Sequence, residues 1–232
     1  KKGYLNTFAA LFRNFGYIKT TSETDYHLLE PWIQWVSIHT GKTYQEHQVL
    51  RLGDIVSRPD LKQLWEIGES KGLKVGAVSP FNATNNLKHP AFFLPDPWTQ
   101  TKSSGSKTLV GLSKAVSSAV NDSAHQKLGF DALLALVKGL MKYVPVSRYP
   151  HYLAFASKYK KKAAKPAILD NLLADTFIRS WQETKPDFSS IFLNSGAHIQ
   201  HHYMFNSGIY QGAQKNPSWY CPETEDPLLD IL

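Results

Sequence analysis

Three histidines stand close together near the end of the chain, within the stretch IFLNSGAHIQHHYMF. His198 and His201 are three residues apart and would share one face of a helix. Imidazole nitrogens are common ligands of transition metals, so this pair predicts a metal site. The alternative is a structural role, in which one histidine hydrogen-bonds the backbone at a strand end while His202 faces solvent. Both interpretations are open at this point.

A second polar stretch lies far upstream, where the run SIHTGK is followed by Glu46 and His47. It belongs to a segment that begins at Pro31 and is predicted to be a helix. In a parallel sheet, residues just past the carboxyl ends of the strands converge on one edge. We therefore expect the start of the helix around Trp32 and the segment from His198 to His202 to lie at the same edge.

The sequence lacks the motifs of several enzyme classes: it has no GxxxxGK[ST] loop, no GxSxG elbow, no HExxH helix and no GxGxxG after a strand. Its single cysteine, Cys221, excludes an internal disulfide and a cysteine-based zinc knuckle. Any metal would therefore be held by histidine and carboxylates. The 26 Lys and Arg outnumber the 19 Asp and Glu, and the formal charge of +7 favours anionic ligands.

The densest positive charge is the run SKYKKKAAKP, and charge runs are more often solvated faces than binding sites. No nucleic-acid-binding motif accompanies the charge, so nucleic acid is not an expected partner. No apolar stretch approaches the roughly 20 residues that cross a bilayer, and the first residues lack the apolar core of a signal peptide. The sequence predicts a soluble chain with no membrane span, whose compartment and oligomeric state are left open.

Four segments in the first third of the chain carry local structure signals. Apolar residues at helical spacing predict a helix that packs on a core and ends at Gly16. The β-branched stretch YIKTTSET predicts a short strand. A helix is predicted from Pro31 to Gly41, and another is predicted with Ser57 as its N-cap and Gly72 as its terminator.

Three compact apolar runs, LKVGAVSP, AFFLPDPW and FSSIFLNS, alternate with helical patterns and predict buried strands. Helices feeding buried strands are typical of α/β proteins. The predicted fold is a three-layer αβα arrangement with a mainly parallel central sheet. The first and third runs are expected to be parallel neighbours or near neighbours. A helical cap insertion is predicted at about residues 99–165 of a single domain that spans residues 1–232.

Four stretches also resemble the alkaline phosphatase-like superfamily, especially its type I phosphodiesterase/nucleotide pyrophosphatase and sulfatase branches. They are LNTFAALFRNFGYIKTTSE, EPWIQWVSIHTGKTYQEHQV, LWEIGESKGLKVGAVSP and PDFSSIFLNSGAHIQHHYMF. The resemblance covers most of the chain outside the predicted cap. It implies an α/β hydrolase of phosphate or sulfate esters, which uses a hydroxyl nucleophile and two divalent metal ions, typically zinc.

Carried over residue by residue, the resemblance places Pro31 at the nucleophile position, counted back from the Thr-Gly pair. Gln34 falls where phosphodiesterases often hold a phosphoryl oxygen with an amide. His201 matches the histidine of an Asp-x-x-x-His metal motif, with Ala197 at the aspartate position. The terminal segments that bear the other metal ligands find no match, so the resemblance is to a central portion of the superfamily domain.

Two functional hypotheses follow. The resemblance implies a metal-dependent hydrolase acting on a small anionic ester, incomplete or impaired as this chain, with Gln34 at the catalytic site and His198 and His201 as metal ligands. The missing nucleophile and carboxylates imply the alternative, a non-catalytic α/β domain that binds anions or another partner. In that case the chain holds at most one weakly bound transition metal.

Overall fold

The computed structural model describes residues 5–121, 129–157 and 164–229. Most of the basic run SKYKKKAAKP lies outside these residues. Within them the helices are α1 Asn6–Phe15, α2 Pro31–Thr40, α3 Tyr44–His47, α4 Leu64–Ser70, α5 Lys107–Asn121, α6 Phe130–Tyr143, α7 Tyr149–Ser157, α8 Ala164–Thr184 and α9 Ser195–Tyr203. The strands are β1 Val75–Val78, β2 Phe92–Leu94 and β3 Phe188–Ile191. Short 3-10 turns cover Tyr26–Leu28, Asp54–Ser57, Val146–Arg148 and Met204–Asn206.

The three strands form one parallel sheet in the order β2-β1-β3. Val75 pairs with Phe188 and Val78 with Ile191, so the prediction of β1 and β3 as parallel neighbours is confirmed. The residues of β1 and β2 are buried, whereas those of β3 are half-buried. The outer edge of β2 is closed by an antiparallel bridge between Phe93 and Ser104. The chain is thus a mixed α/β protein with a small parallel sheet.

Two compact units divide the chain. One contains the described parts of Lys1–Ser22, Phe155–Ile168 and Asn194–Leu232, and the other contains Glu23–Ala154 and Leu169–Leu193. The whole sheet belongs to the second unit, which we call the sheet unit. The histidines of α9 belong to the first. The predicted single domain of residues 1–232 stays a prediction.

The core of the sheet unit forms where α4 meets the sheet. Trp65 of α4 packs with the β1 residues Val75 and Ala77 and with Phe93 of β2. The α4 N-terminus is held by a capping box in which Gln63 and Glu66 satisfy each other's backbone N–H groups. Gln63 also exchanges two hydrogen bonds with the Thr84 backbone, so the start of α4 is fixed to the loop that follows β1.

Several local predictions hold and others are wrong. The helix from Pro31 is confirmed and ends at Gly41, which adopts the left-handed conformation. The predicted strand YIKTTSET is wrong, because residues 17–24 form neither strand nor helix. The predicted N-cap Ser57 is also wrong, since Ser57 ends a 3-10 turn and α4 begins after Gln63, whose side chain supplies the cap.

Helix α1 forms as predicted and ends at Gly16, but it is not packed on a core in the described structure. None of its side chains is buried, and Phe15 is 81% exposed. The helical spacing of its apolar residues indicates that one face of the helix is apolar. It does not indicate which residues, if any, cover that face.

The segment predicted as a helical cap contains α5, α6 and α7. Helices α5 and α6 pack against each other where glycines allow close approach. Gly139 of α6 faces Leu112 of α5, and Gly111 of α5 faces Ala135 of α6. None of the described helices is both long and apolar enough to span a membrane.

One glycine in the central strand is a direct test of this fold. Gly76 of β1 lies beside its register partner Phe92, and a Cβ at position 76 would overlap the buried Phe92 ring. We expect Gly76→Ala to lower the free energy of unfolding by about 2 kcal/mol, because the buried Phe92 ring must shift to admit the added methyl group. Urea denaturation followed by circular dichroism measures this.

Gly111→Ala is the matched control, since its Cβ would meet only the Ala135 Cβ at 3.9 Å, an ordinary contact. Its stability should be unchanged or higher by up to about 1 kcal/mol, from the better helix propensity of alanine. Equal stabilities of the two variants would contradict the described register of β1 and β2.

Candidate functional site

The loops that follow the strands meet at the carboxyl edge of the sheet, and Asn82 ties them to helix α2. The fully buried Asn82 side chain donates to the Trp32 carbonyl at 2.7 Å and accepts from the Gly53 N–H at 2.8 Å. The first turn of α2 and the loop around Gly53 therefore lie against the loop that follows β1. The start of the Trp32 helix therefore lies at this edge, as expected from the sequence. That the segment from His198 to His202 lies at the same edge stays a prediction.

A buried carboxylate holds the two loops after β1 and β2 together. Asp96 accepts hydrogen bonds from the backbone N–H groups of Asn82, Trp98 and Thr99, each at 2.8 Å, and from the Thr99 hydroxyl at 2.7 Å. Burial raises the pKa of Asp96, and these four donors act in the opposite direction. Because its oxygens are engaged internally, Asp96 positions the loops and is not available as a metal ligand.

The backbone of this edge is also unusual, because Ser79 and Asn82 both adopt positive φ angles of 55° and 48°. For residues other than glycine this conformation is uncommon and costs energy unless the surroundings enforce it. Here hydrogen bonds enforce the positive φ angles. The Asn82 side chain is held by its own hydrogen bonds, and the Ser79 N–H donates to the Leu94 carbonyl at 2.6 Å. Such strain is frequent where loops form a binding site.

An aromatic cluster lines the same edge, and we call its members the edge aromatics. One comes from each post-strand loop and one from α2: Phe81, Trp98, Phe192 and Trp35. Phe81 and Phe192 stack with ring centroids 5.1 Å apart, while Trp35 meets Phe192 edge-on at 5.1 Å. Trp98 meets Phe81 edge-on at 5.8 Å. Phe81 is buried and the other three are half-buried, so the cluster presents a partly open apolar wall.

The backbone of Arg51 lies beside this corner of the sheet unit. The Arg51 carbonyl lies 3.5 Å from the Asn82 amide nitrogen, and Arg51 itself is exposed. The neighbouring Asp54 carboxylate accepts the Arg51 backbone N–H at 3.1 Å. Within the described residues the Arg51 guanidinium forms no ion pair. It is therefore a cation that a ligand anion can use.

Ser37 and His47 look like a nucleophile and its base, because Ser37 Oγ and His47 Nε2 are 3.0 Å apart. The other ring nitrogen, His47 Nδ1, accepts the Val49 N–H at 3.0 Å and so carries no proton. In the neutral ring the proton is then on Nε2, which donates to Ser37. Burial, and then the nearby Arg58, lower the pKa of His47 and keep it neutral. This arrangement does not activate Ser37, because the base has no free lone pair facing it.

His39 is buried between two indoles. Its ring centroid is 4.7 Å from that of Trp65 and 5.5 Å from that of Trp35. Its Nδ1 is buried without a hydrogen-bond partner, and burial lowers the pKa of His39 to about 4. The imidazole therefore stays neutral at neutral pH and serves as part of the core.

Gln34, predicted to hold a phosphoryl oxygen, lies on α2 with its amide turned to the backbone of the 3-10 turn that precedes the helix. Its Nε2 donates to the Leu28 carbonyl at 2.6 Å. One of its two amide hydrogens is thus engaged, and its role toward a ligand stays a prediction. Pro31 occupies the first position of α2, where it provides no hydroxyl and no N–H.

The histidines of α9 lie in the other unit, and the structure pairs His198 with His202. Their ring centroids are 4.8 Å apart, one helical turn along α9. His202 Nδ1 is 2.9 Å from the Tyr220 hydroxyl. Burial, and then the neighbouring His202 and His201, lower the pKa of His198, which favours the neutral ring that a metal needs.

A two-metal centre does not fit these donors. Within the described parts of the chain, no three His, Cys, Asp or Glu side chains are arranged to hold a metal ion. Two imidazoles without a carboxylate suit a single, weakly held transition metal rather than a pair of divalent ions that act together.

Sequence reasoning missed the residues that build the sheet edge, above all Asn82, Asp96 and the edge aromatics. Their signal was present, since SPFNATNN and LPDPW place polar and aromatic residues directly after two predicted strands. No protein-family model, no curated protein and no solved structure matches the chain.

The buried imidazole of His39 makes stability depend on pH. The unfolded chain binds a proton there near pH 6.5, whereas the folded chain binds it only near pH 4. The folded state therefore loses stability as the pH falls through this range, by up to about 3 kcal/mol. We expect His39→Leu to remove this loss, as measured by urea denaturation at both ends of the range. Equal losses in the two proteins would show that His39 titrates like a solvated imidazole.

The pairing on α9 predicts which histidines bind a transition metal. In calorimetric titrations with Zn²⁺ or Ni²⁺, His198→Ala and His202→Ala should each weaken binding roughly tenfold or more, because each removes one of two ligands. His201→Ala is the matched control and should bind like the wild type. Loss of binding in His198→Ala and His201→Ala, with His202→Ala unchanged, would instead support the pair predicted from the sequence.

Proposed function

We propose that the chain is a phosphate or sulfate ester-binding domain of the alkaline phosphatase-like superfamily, with its sheet covered by helices on both faces as a three-layer αβα fold. The resemblance of the four sequence stretches supports the lineage. The parallel order of β1 and β3 agrees with it. In this proposal the ligand is a small anionic ester, bound at the carboxyl edge of the sheet.

The observation that carries the proposal is the convergence of the edge aromatics. Each of the three strands is followed by one aromatic residue of the cluster, and α2 adds Trp35. Half-buried rings offer an apolar wall for the organic part of an ester. Arg51, with no carboxylate partner in the described chain, supplies a guanidinium that suits phosphate and sulfate oxygens.

Hydrolysis by the full superfamily mechanism needs groups that these residues do not supply. A bound pair of divalent metals would activate the nucleophile and stabilise the leaving oxygen. Here Pro31 has no hydroxyl, and the Ser37 hydroxyl accepts a hydrogen bond from a His47 ring whose tautomer is fixed. In this proposal the domain therefore binds an ester but does not hydrolyse it with its own residues alone.

The second candidate is a non-catalytic interaction domain outside ester chemistry. It is favoured by one observation, namely that the polar side chains that look catalytic are satisfied internally. Gln34 donates to a backbone carbonyl, and the Asp96 carboxylate accepts four hydrogen bonds. This candidate predicts that neither phosphate nor an aryl ester binds at the sheet edge.

Binding of phenyl phosphate and of inorganic phosphate separates the two candidates. We expect the wild type to bind phenyl phosphate more tightly, because only this ligand has a ring that can lie on the edge aromatics. Arg51→Gln should weaken both ligands by about tenfold, since a charge-assisted hydrogen bond is lost. Phe192→Leu should weaken phenyl phosphate alone. Isothermal titration calorimetry measures all three effects.

Arg179→Gln is the matched control, because Arg179 is an exposed arginine of α8 that pairs with Glu183. It should leave both affinities unchanged. An absence of phenyl phosphate binding by the wild type would favour the interaction domain. Zinc-dependent turnover of phenyl phosphate that His201→Ala abolishes would show instead that a complete hydrolytic site exists, with ligands in other positions.

A further inference from the structure

Strand β3 lies at one edge of the sheet, and its outer backbone groups have no partner. The N–H groups of Phe188 and Phe192 donate to carbonyls of the β1 segment at 3.2 and 3.1 Å. Backbone groups alternate in direction along a strand, so the N–H and carbonyl groups of Ser189 and Ile191 point away from β1. Within the residues that the structure describes, none of these outward groups forms a hydrogen bond.

The opposite edge of the sheet is closed within the chain. There Phe93 of β2 exchanges two backbone hydrogen bonds with Ser104, at 2.7 and 2.8 Å. Open edge strands are commonly protected by charged residues or by proline within the strand. Strand β3, with the sequence FSSI, contains neither. This edge can therefore pair with a further strand.

The sequence of β3 indicates which strand this is. The segment FSSIF, from Phe188 to Phe192, is nearly palindromic about Ser190. If two copies pair antiparallel about a two-fold axis at Ser190, Ser189 lies opposite Ile191 of the second copy, and these pairs use the outward backbone groups of both residues. Phe188 then lies opposite Phe192 of the second copy, which gives an aromatic cross-strand pair on each side of the axis.

An unsatisfied hydroxyl lies at the position of this axis. Ser190 Oγ is buried and has no hydrogen-bond partner, which is uncommon for a buried polar atom. On the axis the two Ser190 residues would form a non-hydrogen-bonded pair, the arrangement in which facing side chains are closest. Rotation about χ1 turns each hydroxyl toward the other. Pairing of two copies thus provides a partner that the single chain does not offer.

We propose that the chain forms a two-fold symmetric dimer through the outer edges of β3, which joins the three strands of each copy into one continuous sheet. An unrelated extended peptide would use the same backbone groups but would not reproduce the phenylalanine pairs or the central serine pair. Because β3 is short, the contact area is small and the dimer is weak, with a dissociation constant in the micromolar range.

Sedimentation velocity of the full chain tests the proposal. At a concentration of roughly 100 µM the wild type should sediment as a dimer. Ser189→Pro should be monomeric, because proline removes an outward N–H and leaves the hydrogen bonds to β1 in place. Ser189→Ala is the matched control, which keeps this N–H and should stay dimeric. A monomeric wild type would overturn the proposal, as would a dimeric Ser189→Pro that circular dichroism shows to be folded.

Oxidative cross-linking tests the register without a proline in the strand. The two Ser190 Cα atoms would be about 4.5 Å apart, within the range that a disulfide spans, so Ser190→Cys should give a covalent dimer. Ser189→Cys is the matched control, because its two Cα atoms would be roughly 9 Å apart, beyond that range. Any result other than preferential cross-linking of Ser190→Cys overturns the proposal.

Discussion

The buried Asp96 carboxylate is the interaction on which the sheet unit depends most. Its four hydrogen bonds join the loop after β2 to the loop after β1, and the Asn82 side chain extends this connection to α2 and to Gly53. Leaving a buried donor or acceptor without its partner costs more than the net gain of an ordinary hydrogen bond. The polar groups of the carboxyl edge therefore satisfy one another, and breaking any one of these bonds would destabilise the loops that they join.

Local sequence signals predicted the elements that local interactions determine. The strands β1 and β3 were found because compact apolar runs bounded by turn residues have few other solutions. The bounds of α2 followed from Pro31 and Gly41, whose backbone preferences act at their own positions. The start of α4 was misplaced at Ser57, because the cap is made by a longer side chain, Gln63, that also bonds to Thr84.

The candidate site could not be predicted in the same way, because it depends on long-range partners. The hydrogen bond from Asn82 to Trp32 joins residues 50 positions apart. No spacing rule connects them. The histidines show the reverse difficulty, since a helix was allowed for and the His198 ring lies against that of His202. The metal pair of His198 and His201 stays a prediction. Three- and four-residue spacings are both neighbours on a helix, so the sequence alone does not choose between them.

The contrast between satisfied and available groups supports the proposed function of the sheet unit. The groups that resemble catalytic machinery, Ser37 with His47 and the Asp96 carboxylate, have their hydrogen-bonding capacity used within the fold. The groups that remain available are of another kind: a guanidinium at Arg51 and half-buried rings at the sheet edge. Catalysis needs polar groups with a free lone pair or proton facing the reacting atoms, whereas binding needs only charge and apolar area. The available groups are therefore those that the proposed binding of an ester would use.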